Sequence, residues 1–348
     1  MTSEKFLEKL IDAPTPSGYE EIGLRLFKEY CSEFAEHYYE DKIGNVVYSI
    51  GHGKTKILLS AHIDELGFQI MGVKKNGLLT ISSLGGVDKK VLPGSKVMVE
   101  CGDNWIVGVI GKKPIHAESQ KDRETVSDIE ELTIDLGFSS DTEVKEKGID
   151  IGSLAVYDRC ISDLKFGKDL IMGPGLDDKA GIFLVAEIGR RLSHDFKDSD
   201  EYQILLGATV QEEVGLRGAT VMAQNIKPDI SIDFDVTPTT DFGVKAEEWG
   251  DVTLGEGAVI EIGPDKSRRL VNIIKAAAKE VNELYQLVPT GRPGGTNTTV
   301  LQLFGGDCET AHIALPIRNL HTPVEICSMK DINAVKEIVV KLIENKQL

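Results

Sequence analysis

Apolar residues toward the two ends of the chain fall into short runs and long helical patterns, and their alternation predicts an α/β fold. Residues 204–210 form a short apolar run followed by charged residues, which is typical of a buried strand. Residues 178–192 form a nearly all-apolar helical pattern, of the kind that packs between a sheet and its neighbours. Further strands are predicted at residues 45–50, 56–61, 229–234 and 311–320, and further helices at residues 4–13, 18–35, 270–284 and 329–344.

Two short-range signals predict how the first elements begin and connect. The apolar runs at residues 45–50 and 56–61 are separated by a Gly-His-Gly turn, which predicts a β-hairpin. Ser17 and Glu20 stand three residues apart after two prolines, which predicts a capping box at the start of the helix at residues 18–35.

The pattern changes between about residues 67 and 166. Short alternating runs are broken repeatedly there by glycine-containing turns, and a charged stretch lies at residues 118–131. Many short strands at such spacing predict a small all-β barrel or sandwich. The simplest architecture is therefore one α/β domain made of both ends of the chain and interrupted by a β-rich insertion.

Charge and cysteine content narrow the class of protein. The 348 residues carry a formal net charge of -17, which argues against nucleic acid and anionic membranes as partners. The five cysteines are widely spaced without a C-x-x-C pair, so they predict neither a disulfide framework nor a thiolate zinc site. The N-terminus has no signal-type apolar region, and no apolar run approaches the ~18 residues of a membrane span. A cytoplasmic location is therefore expected.

Side chains of metal-binding type stand at the ends of several predicted elements. Glu212 and Glu213 follow the strand at residues 204–210, and two buried carboxylates can persist there only when charge or metal satisfies them. In open α/β sheets, ligands bind in the crevice outside the carboxyl ends of the strands. The other candidates stand at equivalent places: His62, Asp64, Asp177, Asp178, Asp233, Asp235 and His321. Together they predict one shared metal site.

The donor types favour a hydrolytic site with two ions. Imidazole and carboxylate without thiolate suit catalytic zinc, cobalt or manganese better than structural zinc. Two histidines with three or more carboxylates exceed the needs of one ion and fit a pair of ions ~3.5–4 Å apart. One of the paired glutamates can bind metal while the other acts as general base. Asp64 shares a face with His62 and can orient its imidazole. The pattern leaves open whether Asp233 or Asp235 is a ligand.

At these residues the chain resembles the deblocking and glutamyl aminopeptidase family. The resemblance is carried by SAHIDELGF at residues 60–68, GLDDKAG at 175–181, QEEVGLRGA at 211–219, DVT at 235–237 and RNLHTPVE at 318–325. Members of this family are cytosolic metallopeptidases with two cocatalytic ions. The best-known members build tetrahedral dodecamers, and some relatives have been labelled cellulases. The resemblance covers nearly the whole chain in the family's order.

The resemblance implies a fold and an assembly. It implies a mixed-sheet α/β/α catalytic domain, formed by residues 1–67 and 166–348, with an inserted small β-barrel domain at residues 68–165. The insertion would serve in dimerisation, so a homo-oligomer between a dimer and a dodecamer is expected. The implied substrates are short peptides from which N-terminal residues are hydrolysed.

The resemblance also implies a role for each site residue. Each subunit would hold two divalent ions, with zinc as the first choice and cobalt or manganese as alternatives. Asp177 would bridge the ions and Glu212 would act as general base, with Asp64 as the orienting carboxylate. The remaining implied metal ligands are His62, Glu213, Asp235 and His321.

One departure and two rival functions accompany this assignment. Many relatives carry Gly-Gly-Thr-Asp where this chain has Gly-Gly-Thr-Asn at residues 294–297, which makes Asn297 a candidate substrate-binding residue. A glycoside hydrolase would need two opposed carboxylates ~5–10 Å apart, which metal ligation would consume here. A peptide-binding module without chemistry is favoured only by Asn297, because every implied metal and acid–base residue is present.

Overall fold

The computed structural model describes residues 1–120, 125–159 and 169–348. In chain order the strands are β1 (Glu36–Glu40), β2 (Val46–Ile50), β3 (Thr55–His62), β4 (Gly67–Val73), β5 (Leu79–Leu84), β6 (Lys96–Cys101), β7 (Asn104–Ile110), β8 (Thr133–Asp135), β9 (Leu154–Tyr157), β10 (Leu170–Gly173), β11 (Tyr202–Thr209), β12 (Ile230–Pro238), β13 (Ala258–Ile262), β14 (Tyr285–Pro289), β15 (Glu309–Arg318) and β16 (Glu325–Ser328). The α-helices are α1 (Ser3–Asp12), α2 (Glu21–Cys31), α3 (Asp141–Glu146), α4 (Leu176–Phe196), α5 (Arg217–Ile226), α6 (Ala246–Trp249), α7 (Arg268–Val281), α8 (Asn297–Phe304) and α9 (Met329–Glu344).

A mixed sheet forms the centre of the α/β part. In the described residues its order is β1-β2-β11-β3-β12-β15-β13-β14, and β16 joins β15 to β10. Strands β11, β3, β12 and β15 are parallel neighbours, whereas β2 and β13 pair antiparallel with this block. Because the four parallel strands share one direction, their carboxyl ends meet at one edge of the sheet.

Side chains of β3 alternate between two apolar layers. Ile57 and Leu59 belong to the cluster that includes residues of α1, α2, α4, α7 and α9. Leu58, between them, packs with residues of α5 and with Leu301 of α8. Since successive residues of a strand point to opposite faces, the sheet has a helical layer on each side. The mixed-sheet α/β/α fold predicted from the sequence is confirmed.

The short middle strands close into a barrel. Strands β4 to β9 pair antiparallel in the order β4-β5-β8-β7-β6-β9, and their inward side chains, such as Phe68, Ile81 and Val97, are fully buried. Gly77 turns the chain between β4 and β5 with φ +82°, where a Cβ would lie 2.6 Å from the Phe138 carbonyl oxygen. Only glycine meets both demands without strain. The predicted small barrel is therefore confirmed.

The predicted β-hairpin between β2 and β3 is wrong. Strand β11 lies between them, antiparallel to β2 and parallel to β3. The Gly-His-Gly segment is instead bonded to the start of β11, where the Gly53 N–H donates to the Tyr202 carbonyl at 3.1 Å. Strand β11, which lies about 150 residues further along the chain, therefore pairs with both strands in place of the predicted pairing between them.

The predicted capping box before α2 is also wrong. The Ser17 hydroxyl donates to the Asp64 carboxylate at 2.7 Å rather than to the helix. Glu20 is the residue before the helix and accepts hydrogen bonds from the N–H groups of Gly18 and Gln211. Both side chains serve long-range contacts near strand ends, and the helix begins without a side-chain cap.

The predicted domain boundaries and the dimerisation role remain predictions. The barrel strands run from Gly67 to Tyr157, close to the predicted insertion at residues 68–165. The boundary at 165/166 and Cys160 fall within residues 160–168, outside the described residues. Part of the charged stretch at 118–131, residues 121–124, also lies outside the described residues. Among the described residues, no helix has the length and apolarity needed to span a bilayer.

Candidate active site

The metal-binding side chains predicted from the sequence converge at the carboxyl edge of the parallel strands. His62 is the last residue of β3, Asp177 lies in the first turn of α4, and Asp235 lies within β12. Glu212 and Glu213 follow β11, and His321 follows β15. All six side chains line one cavity of about 390 Å³.

Asp177 lies between the two histidines. Its Oδ1 is 3.0 Å from His62 Nε2 and its Oδ2 is 3.2 Å from His321 Nε2. Asp235 approaches His62 Nε2 to 3.9 Å, and Glu213 approaches His321 Nε2 to 3.8 Å. One carboxylate thus presents an oxygen to each of two imidazoles, and each imidazole has a further carboxylate beside it.

Within the part of the chain that the structure describes, two sets of donor atoms are close enough to hold a cation. His62, Asp177 and Glu213 form one set, and His62, Asp178 and Asp235 form the other, with the atoms of each set within 4.8 Å of one another. Glu213 Oε1 and Asp178 Oδ2 are buried without a hydrogen-bond partner among the described residues. Buried unpartnered carboxylate oxygens are costly unless a cation satisfies them. The donor set therefore fits divalent ions.

Burial and mutual repulsion change the pKa values of these groups. Burial and, after it, the neighbouring Asp177 carboxylate together raise the pKa of Glu212 and of Glu213 to about 8. Burial also opposes ionisation of Asp177, but hydrogen bonds from His321 and His62 outweigh it and hold its pKa well below the usual range. A divalent cation among these carboxylates would favour the ionised form of each one.

Asp64 connects His62 to the paired glutamates. The Nδ1 of His62 is 3.0 Å from the Asp64 carbonyl oxygen and 3.4 Å from its Oδ1. The Asp64 carboxylate also accepts the backbone N–H groups of Glu212 at 2.9 Å and Glu213 at 3.1 Å. One fully buried carboxylate therefore fixes the backbone of both glutamates next to the imidazole it contacts.

The two aspartates of β12 have different surroundings. Asp235 lines the cavity, whereas Asp233 accepts the Ser60 hydroxyl at 2.7 Å and the Thr298 hydroxyl at 3.4 Å. Residues two apart share a face of a strand, so the sequence pattern could not separate them. Of the two, Asp235 is the one that lines the cavity, and its role as a metal ligand remains a prediction.

Asn297 is buried next to the cavity-lining Thr296 and does not itself line the cavity. Its side chain is fully buried, and its Nδ2 donates to the Thr209 hydroxyl at 3.1 Å, while its Oδ1 has no partner among the described residues. The Asp233 carboxylate is also within its hydrogen-bonding reach. The neighbouring Gly295 and Thr296 line the cavity instead. The substrate-binding role of Asn297 remains a prediction.

We expect the Asn297→Asp substitution to destabilise the fold by about 2–4 kcal/mol at pH 8, because it buries a second carboxylate beside Asp233 and removes the donor to Thr209. Urea unfolding would measure the loss. Asn282→Asp is the control, since it makes the same chemical change at an exposed helix end. Equal stability of the two variants would contradict the expectation.

The sequence reasoning missed a buried ion cluster behind the site. Glu65 pairs with Arg159, lies 3.1 Å from Lys179 Nζ and accepts the Thr15 N–H at 2.7 Å. It thereby ties the start of α4 to the chain after β9 and to the N-terminal segment. Gly175 leaves room for it, because a Cβ there would lie 2.5 Å from Glu65 Oε2. The sequence indicated this cluster only through Glu65 and Lys179, which lie inside the family motifs at residues 60–68 and 175–181.

Known proteins are similar to this chain in sequence and in fold. Residues 44–338 match the profile of the family described as M42 glutamyl aminopeptidase. The lysyl aminopeptidase of Pyrococcus furiosus is 30% identical over 350 residues, which covers 99% of this chain and 97% of that protein. The TET aminopeptidase structure from Thaumarchaeota archaeon SCGC AB-539-E09 gives a TM-score of 0.92 at 29% identity, with 99% and 97% of the chains covered. The TET1 peptidase of Pyrococcus horikoshii, which can assemble into a tetrahedron or a large octahedral shell, gives 0.86 at 29%, with 98% and 99% covered.

These matches make the chain an aminopeptidase, a hydrolase of peptide bonds. It belongs to the M42 glutamyl aminopeptidase family, as the motif resemblance indicated. Membership of this metallopeptidase family implies divalent metal ions, for which candidate ligand groups are present. The number and identity of the ions and the role of each residue remain predictions.

Proposed function

We propose that the protein removes N-terminal residues from short peptides with two divalent ions and Glu212 as general base. The observation that carries the proposal is Asp177, which presents one oxygen to each of two imidazoles in a cavity shared with both glutamates. Asp177 would bridge the ions, with His62 and Asp235 on one side and Glu213 and His321 on the other. Asp178, in one of the two donor sets, is a further candidate.

The bound ions would polarise the scissile carbonyl and lower the pKa of the attacking water. Glu212 would accept the proton of that water and then donate it to the leaving amine. Its position supports this role, because Glu212 lines the cavity beside Asp177 and a general base must lie within reach of the attacking water. Asp64 would keep the glutamates and the His62 imidazole in place throughout.

We also propose that the protein forms a homo-oligomer. Among the described residues of the β-rich part, four large apolar side chains are more than half exposed: Met71, Val107, Ile115 and Ile151. Exposed apolar groups of this kind are typical of interaction surfaces. The shells formed by the Pyrococcus horikoshii relative support assembly, and sedimentation analysis of the purified protein would measure the number of subunits.

The experiment that tests the proposed function is amino-acid release from matched peptide pairs with free and acetylated N-termini. We expect stepwise release from free N-termini only. We expect chelation to abolish this release and zinc, cobalt or manganese to restore it. Zinc is the first choice, given the imidazole and carboxylate donors. Peptide binding without release at full metal occupancy would support the binding module instead. Reducing ends released from cellulose by the chelated protein would support the glycoside hydrolase.

A further inference from the structure

Glu325 connects two segments of the site without lining its cavity. It is the first residue of β16 and is 2% exposed. Its Oε1 accepts the backbone N–H of His321 at 2.8 Å, and its Oε2 accepts the backbone N–H of Asp177 at 3.2 Å. Both oxygens are therefore engaged with backbone groups of two residues that reach the cavity from different elements.

The His321 backbone needs such support. His321 has φ +62°, in the left-handed region that non-glycine residues adopt only when surrounding contacts hold them there. Asn319, two residues earlier, is also left-handed at φ +58°. The segment between β15 and β16 thus presents the His321 imidazole from an unfavourable backbone conformation, and the Glu325 carboxylate holds the N–H of that residue.

Glu325 and Asp64 act in the same manner on different pairs of cavity-lining residues. Asp64 accepts the N–H groups of Glu212 and Glu213, and Glu325 accepts those of Asp177 and His321. Four cavity-lining residues are therefore fixed through their backbones by two buried carboxylates. Of the two residues, Asp64 also contacts a candidate ligand side chain, the His62 imidazole, through its carbonyl oxygen and its carboxylate.

We infer that Glu325 is a positioning residue that fixes His321 relative to Asp177 and so sets the affinity of the ion held by Asp177, Glu213 and His321. The inference rests on the proposed function in one respect, which is that an ion binds to these three residues. Groups that orient metal ligands typically change metal affinity 10–100-fold when they are lost. The ion on the His62 and Asp235 side depends on this contact only through Asp177, because Asp64 holds the His62 imidazole.

Asp331 provides a matched control. It is 1% exposed, and its carboxylate accepts the backbone N–H groups of Gly255 and Gly257, each at 2.8 Å. It stands six residues from Glu325 and carries the same chemistry. Among the described residues, its hydrogen bonds reach no side chain or backbone group of the cavity.

The test compares Glu325→Gln and Glu325→Leu with Asp331→Asn and Asp331→Leu. Chelated protein is titrated with Co²⁺ alone in a calorimeter. For the Glu325 variants we expect one ion to bind 10–100-fold more weakly and the other to stay within about threefold of wild type. The Asp331 variants should keep both affinities within about threefold. The Gln variant keeps one acceptor oxygen and the side-chain shape, so it covers the case in which the Leu variant fails to fold.

Hydrogen exchange of the His321 and Asp177 amides in the chelated protein gives a second readout that needs no metal. We expect these two amides to exchange at least tenfold faster in the Glu325 variants than in the Asp331 variants. Unchanged exchange together with unchanged ion affinities, or equal losses in both pairs of variants, would overturn the inference. Wild-type protein that binds one ion or none would instead contradict the proposed two-ion function, and the exchange readout would still decide the role of Glu325.

Discussion

The Glu212→Gln variant is expected to retain its metal ions, while its kcat falls by about 10²- to 10⁴-fold. This is the range that loss of a general base typically causes. The amide keeps the shape of the side chain but cannot accept the proton of the attacking water. The Glu212 backbone N–H still donates to Asp64, so the local fold should be preserved. Turnover of a short peptide and metal content after gel filtration would be measured on the same sample.

Glu213→Gln is the matched comparison for this variant. Glu213 is the adjacent residue, with the same anchor on Asp64 and the same direction of pKa change. As a proposed ligand it should lose metal affinity, and excess metal should restore part of its activity. Excess metal should not restore activity to Glu212→Gln. A Glu212→Gln rate within tenfold of wild type would refute its role as the base, and a reversed pattern would exchange the two assignments.

The placement of the site was predictable because it follows from one rule about sheets. Polar residues after apolar runs mark the carboxyl ends of strands, and parallel strands bring those ends together. His62, Glu213 and Asp235 come within one cavity for this reason. Strand identity is local information, encoded in the apolar run itself, so it could be derived without knowledge of strand order.

Strand order was not predictable in the same way. The hairpin between β2 and β3 was wrong because β11 inserts between them from a distant part of the chain. The capping box failed for a related reason, since Ser17 bonds to Asp64 across 47 residues. A local motif indicates which contacts a residue can make with its sequence neighbours, and a buried carboxylate from a distant part of the chain can offer a stronger contact.

The buried supports of the site were the least predictable part. Glu325 and Asp64 accept backbone N–H groups, and any residue type can supply such a donor. The identities of the donating residues therefore do not indicate these hydrogen bonds. Asn297 illustrates the converse: the sequence makes it a candidate substrate-binding residue, but only the structure shows that its side chain is buried beside Thr209 and does not line the cavity.

Removal of the metal ions is expected to make the stability of the protein fall as the pH rises from about 5 to 8. In the ion-free fold, burial raises the pKa of Glu212 and Glu213 to about 8 from an ordinary value of 4.5. Between these values the folded protein keeps protons that the unfolded chain has released. Stability decreases with pH wherever the folded state binds more protons than the unfolded state.

The histidines act in the same direction. Burial lowers the pKa of His321, but Asp177 outweighs this effect and raises it to about 9. A base with a raised pKa contributes stability that is present below its unfolded pKa and is lost as the pH rises through its folded pKa. The contribution of His321 therefore also declines between about pH 6.5 and 9. The low pKa of Asp177 acts only at more acidic pH, outside this window.

Thermal unfolding at pH 5.5, 7 and 8, with and without a chelator, would measure this effect. We expect the Tm of the chelated protein to fall by roughly 5 °C across this range, equivalent to a few kcal/mol for a chain of this size. With ions bound, the carboxylates are ionised throughout and the slope should disappear. Chelated Glu213→Gln should show a shallower slope, because it lacks one titrating group. A Tm independent of pH after chelation would contradict the raised pKa values of the ion-free fold. The same slope with and without ions would show that these carboxylates do not surround a cation.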